Sequence, residues 1–290
     1  MGKEYPRWLV GCGIGCLAVG IVVFVLGLGA FFAVREATGG FKEAHEAVSR
    51  VEGEFGSPEA YTAQPDGQIP AERIEAFLAV RHATSRVRAD LKARVTDLED
   101  MSGDTELEHK SGLQKFLRVM RTGVGAIPRI AEFEQKRAEA LTAHRMGLGE
   151  YWYIYSLAYY SLLKKDLGDG PSRIHSREND NITLDGNTAP DEIRESRRSK
   201  MSRQINRLFR RILGNAVQDS KSPEKSPWIQ TAEKELAALD AKQDRIPWED
   251  GLPPQIEQSL SPFRAELERS YDPVISPLEF MEFGHQRRRW

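Results

Sequence analysis

Cysteine is almost missing from this chain. Cys12 and Cys16 are the two among 290 residues, and both fall inside one apolar run. Everything beyond that run is without thiols, which removes a disulfide framework, a cysteine-ligated zinc site and a cysteine nucleophile from the rest of the protein. Histidine is sparse and scattered, at positions 45, 82, 109, 144, 175 and 285, with no His-x-x-x-His pair. There is no Gly-x-Ser-x-Gly elbow, no Gly-x-x-x-x-Gly-Lys phosphate loop, and no Gly-x-Gly-x-x-Gly after a strand. An excess of one charge is lacking as well: 41 Lys and Arg face 43 Asp and Glu, a net charge of -2. That balance gives no global reason to expect a nucleic-acid partner. At 40% hydrophobic and 29% charged, the chain is too apolar for wholesale disorder and too polar for a multi-span membrane protein.

What the sequence does contain is a long uncharged run. From Trp8 to Val34 no residue is charged, and Arg7 and Arg35 bracket the stretch. At about 1.5 Å per residue, residues 9–34 cross a ~30 Å hydrocarbon core with tilt to spare, and Trp8 sits where an interfacial aromatic belongs. The run is longer than the ~7–15 residues of a cleaved signal peptide. Cys12 precedes the apolar stretch rather than following it, against a lipoprotein signal. The expectation is an uncleaved transmembrane helix with a short tail, residues 1–8, on the cytoplasmic side and residues 35–290 outside the cytoplasm, although the Lys/Arg bias behind that orientation is small. Gly11, Gly15 and Gly20 recur on one face of this helix, where a second helix backbone can approach and a homodimer can form; small residues are also simply common in membrane helices.

Beyond the anchor, apolar residues recur at spacings of three and four and no stretch alternates as a strand does. Residues 35–69 read as a juxtamembrane helix and linker. Residues 70–166 read as a helical region: one long helix over 70–101, a third from Glu106 to Ala126 that Pro128 breaks or kinks, and an aromatic helix from Tyr151 to Leu163. Residues 167–190, rich in Gly, Asn, Asp and Pro, read as a surface loop with the composition of a disordered segment. Residues 191–290 read as a C-terminal helical region. The fold expected is all-α, one transmembrane helix followed by a multi-helix, bundle-like domain.

Two clusters invite a functional reading. Five of the eight tyrosines fall between residues 151 and 160. Tyr151, Tyr155 and Tyr159 share a helix face, either as a central buried helix or as an aromatic surface for a ligand. The second cluster is basic: Arg197, Lys200, Arg203, Arg207, Arg210 and Arg211 lie on a helix with an apolar opposite face. That is either a solvated face or a surface for anionic lipid head groups or an acidic envelope partner. Glu106-x-x-His109 matches half of a di-iron carboxylate motif without its second copy, and carboxylates are favoured at a helix start without any metal. No metal, no cofactor and no nucleic acid is expected. The sequence thus points to a membrane-anchored envelope protein whose helical domain is a scaffold or binding module. The competing reading is a membrane-tethered enzyme, hydrolytic or metal-dependent, with dispersed active-site residues.

Overall fold

The computed structural model describes residues 42–102, 112–171, 174–176, 182–184, 189–219 and 226–281. The apolar run 9–34 with Gly11, Gly15 and Gly20 lies outside the described residues, as do Glu106 and His109. Among the described residues, no helix is long and apolar enough to cross a membrane.

The described chain is built from helices: α1 (42–55), α2 (Ala71–Ala83), α3 (Ser85–Ser102), α4 (Gly112–Ala143), α5 (Leu148–Tyr155), α6 (Pro190–Asp219), α7 (Pro227–Ala241), α8 (Pro254–Leu260), α9 (Arg264–Ser270) and α10 (Ser276–Met281). One expectation is corrected in the first half. The long helix over 70–101 is two, meeting at Thr84, whose hydroxyl turns back to donate to the Val80 and Arg81 carbonyls at 3.0 and 3.2 Å. Such back-bonding competes with the helical ladder and favours a bend. At Pro128, where the sequence leaves a break or a kink open, the helix is not broken, for α4 runs through it. A proline forfeits one backbone bond, a loss that a long helix can absorb.

The segment 167–190 is not loop throughout. Ile174–Ser176 and Ile182–Leu184, β1 and β2, form an antiparallel pair with His175 opposite Thr183. Strands of three residues are too short to show alternation, so the pattern carried no signal.

One hydrophobic core runs from Ala47 in α1 to Phe280 in α10. At its centre lies α5, continued by a π-helical stretch, Ser156–Leu162, in which every residue is buried. The wider turn shows in Leu163 N–H bonding the Ala158 carbonyl five residues back, at 3.0 Å. Because the turn is wide, Tyr155 packs against both following tyrosines, its ring centroid 4.6 Å from that of Tyr159 and 6.0 Å from that of Tyr160.

Candidate functional site

A buried polar assembly joins α2 and α3 to the C-terminal segment. Phe77, Arg81, Thr84, Arg88, Leu91 and Val95 follow one another at alternating spacings of four and three, and all six are buried. Two arginines therefore occupy the core-facing row of α2 and α3, where an apolar residue would be ordinary. Their counterion is Glu279 on α10, nearly two hundred residues away and itself 1% exposed. Arg81 Nη1 bonds Glu279 Oε2, and Arg88 Nε bonds Oε1 at 2.5 Å. Two further donors reach the end of α9, Arg81 Nη2 to the Ser270 carbonyl at 2.8 Å and Arg88 Nη2 to the same oxygen at 3.0 Å. Ser276 Oγ at the start of α10 lies within 3.2 Å of Arg81, while Arg81 Nε is buried with no partner among the described residues. The C-terminal carbonyls of a helix carry partial negative charge, so the two cations also cap α9.

Tyrosines close the slot. Tyr151 Oη accepts from Arg81 at 3.1 Å, Tyr155 Oη donates to the Ser276 carbonyl at 2.5 Å, and Tyr159 Oη lies 2.7 Å from Ser270 Oγ. The Arg81 guanidinium stands 5.4 Å from the ring centroids of both Tyr155 and Tyr159, a cation–π geometry. Arg137 donates to the Glu279 backbone carbonyl at 3.2 Å and lies 5.0 Å from the Trp152 ring, against which Phe280 packs edge-on. Burial by itself favours loss of the Arg81 proton, but the Glu279 carboxylate outweighs it and holds the guanidinium above its ordinary range. Burial pushes the Tyr151, Tyr153 and Tyr155 phenols up, so none supplies a tyrosinate base at neutral pH.

Of the two readings of the tyrosine helix, the central buried one fits and the aromatic surface does not. Tyr151, Tyr155 and Tyr159 do stack on one face, but all three are buried and their hydroxyls are spent on the slot. They present nothing to solvent, and Phe77 of α2, Phe209 of α6 and Phe280 of α10 pack against the rings of α5.

The basic helix, α6, divides. Arg197 does not belong to any surface: it is 5% exposed and donates to the carbonyls of Gly168 at 2.9 Å, Asp169 at 3.1 Å and Pro171. Arg194 and Arg198 bind Asp166, which ties the 166–171 turn to α6. Lys200 is half-buried. Arg210 pairs with Asp240 on α7. Arg203, Arg207 and Arg211 remain, spaced by four and exposed on one line of the helix. Arg203 bonds only its own helix, through Ser199 Oγ at 2.7 Å, and Arg207 and Arg211 have no ion pair among the described residues. Beneath them Ile205, Leu208, Phe209, Ile212 and Leu213 are in the core.

Among the described residues, no three His, Cys, Asp or Glu side chains converge as metal ligands would. Comparison with protein-family models, with curated proteins and with solved structures returns no match for this chain.

Proposed function

We propose that this protein is a membrane-anchored binding module, held in the bilayer by residues 9–34, whose helical domain engages anionic head groups outside the cytoplasm through Arg203, Arg207 and Arg211. The observation that carries the reading is the division within α6. Four of its basic side chains, Arg194, Arg197, Arg198 and Arg210, are tied to other parts of the fold, yet the outer row of three is exposed and, among the described residues, pairs with no carboxylate. Near an anionic surface each such cation contributes about 1 kcal/mol. A domain tethered to the same bilayer needs no further affinity to find it.

With Cys12 and Cys16 changed to Ala, a Gln218→Cys variant takes a single fluorophore close to the row. Full-length protein is reconstituted into nanodiscs of anionic or zwitterionic lipid carrying a head-group quencher. Quenching is expected in anionic discs alone, falling as salt shortens the screening length from ~8 Å to ~3 Å and disappearing when Arg203, Arg207 and Arg211 are changed to Glu. Equal quenching in both lipids, or quenching that survives the charge reversal, overturns the reading. A topology reporter fused to the C-terminus tests the compartment separately.

A further inference from the structure

The slot beneath α10 holds two cations against one anion. Arg81 and Arg88 share the single carboxylate of Glu279, and Arg81 Nε is buried without any partner among the described residues. Buried charge that is only partly matched is costly, and an unpartnered buried donor adds to the cost. A carboxylate is therefore an incomplete occupant. A tetrahedral dianion matches both guanidinium charges and brings enough oxygen acceptors for the free Nε as well.

The present occupant is also built to leave as a unit. Residues Tyr271–Met281 close their own hydrogen bonds: Asp272 Oδ1 accepts from Val274 N–H at 2.9 Å, Ser276 N–H bonds the Asp272 carbonyl at 2.8 Å, and Glu279 N–H bonds the Ile275 carbonyl at 3.0 Å. Its hold on the body is made by Glu279 in the slot, Lys92 on Asp272 at 2.9 Å, Phe280 on Trp152, Ile275 beside Leu91 and Val95, and two backbone carbonyls, Ser276 accepting from Tyr155 Oη at 2.5 Å and Glu279 from Arg137 at 3.2 Å. Swinging about Tyr271 breaks those contacts while keeping the segment's own turn. The site left behind is lined by Arg81, Arg88, the Tyr151 hydroxyl and the aromatic rings.

We propose that the Arg81–Arg88 slot is an oxyanion site for a phosphate dianion, that Glu279 occupies it as an internal stand-in, and that phosphate binding releases the C-terminal segment. The affinity of such a site is reduced by the small fraction of molecules in which the segment is open. Removing the charge of the stand-in raises that fraction, so Glu279→Gln binds phosphate at least about tenfold tighter than the wild type. The proposal stands apart from the membrane reading, since none of its residues belongs to α6.

The experiment uses full-length protein in phosphate-free buffer, with inorganic phosphate as the probe and acetate as the monoanion control. Hydrogen exchange is followed at the Ser276 and Glu279 amides, and binding by calorimetry. Phosphate is expected to speed exchange at both amides several-fold, leaving Tyr153 to Tyr159 unchanged, while acetate does much less. Phosphate binding that leaves the segment's exchange unaltered and is no tighter in Glu279→Gln marks an adventitious ion only and overturns the proposal. Should Glu279→Gln fail to fold, the wild-type exchange measurement decides alone: α10 amides that exchange only with global unfolding, with or without phosphate, also overturn it.

Discussion

Two sets of arginines in this protein behave as though they were different residues. In the slot, Arg81 and Arg88 are nearly stripped of water and every consequence of that burial follows: a carboxylate must be brought to them, hydroxyls must turn inward, and the end of α9 must be placed so that its carbonyls face the cations. On the outer row of α6, Arg203, Arg207 and Arg211 keep their water, and the fold asks nothing of them. The difference is one of dielectric. A partner lost inside leaves an uncompensated charge that costs several kcal/mol, whereas an exposed pair is worth less than about 1 kcal/mol. Buried arginines therefore define architecture, and exposed ones are free for whatever meets the surface.

The sharpest way to test that contrast is to empty the slot. Glu279→Ala removes the anion and leaves two buried guanidiniums, an effect expected to cost about 3–5 kcal/mol. Urea unfolding monitored by far-ultraviolet circular dichroism measures it. A loss below about 1 kcal/mol means that water reaches the slot, and the distinction between the two sets collapses.

A narrower comparison uses neighbours in the sequence. Arg197 and Arg198 are adjacent, but one lies under the 166–171 turn and the other's side chain is 45% exposed beside Asp166. Gly170, at φ 129°, lets the chain pass so close that a Cβ there would sit 2.7 Å from the Arg197 guanidinium. Arg197→Ala strands carbonyls of that turn and is expected to cost about 2 kcal/mol. Arg198→Ala is expected to cost less than about 1 kcal/mol. Equal losses in thermal melts would show that the turn, not burial, sets the value.

These pairs also show what the sequence could and could not disclose. Helices were legible because apolar residues at three and four spacing record burial directly, and the aromatic helix announced itself by carrying rings on all sides. Arg81 and Arg88 do not stand out in a pattern that records apolar residues alone. The signal was there: both arginines fall in step with Phe77, Leu91 and Val95, a charged residue on a core row twice over. Glu279 as their partner was not legible at all, since no spacing rule links residues nearly two hundred positions apart. Arg197 was grouped with a surface for the reverse reason. Composition marks the helix as basic, but only the path of the 166–171 turn decides which arginine it covers.

A smaller effect separates the sets by pH. Burial raises the Asp166 carboxyl, but the Gly168 amide and the Arg198 and Arg194 guanidiniums outweigh it and hold the group below its usual range. A carboxyl depressed in the fold contributes stability that is present above the unfolded value, about 3.9, and is lost as pH falls through the folded one. Asp166→Asn is expected to lower stability by less than about 1 kcal/mol at pH 7 and to narrow the gap to the wild type below about pH 4. Urea midpoints at pH 7, 4 and 3 measure it. Asp272, depressed in the same direction despite its burial by Lys92 and the Val274 amide, preserves part of the acid loss in either protein.

The smallest expected change in stability belongs to the outer row, and its smallness is the point. Arg203→Glu, Arg207→Glu and Arg211→Glu together place three carboxylates on a line of α6 that makes no ion pair to another element among the described residues, so unfolding is expected to move by no more than about 0.5 kcal/mol per site. Asp240 on α7 keeps its partner in Arg210. A much larger loss would mean that the row is tied into the fold and is no free surface, which would remove the physical basis for assigning it an anionic partner. With stability preserved, the same variant isolates function from folding: any association lost on charge reversal is lost for want of the three cations, since the apolar face beneath them and the buried arginines around them are left as they were.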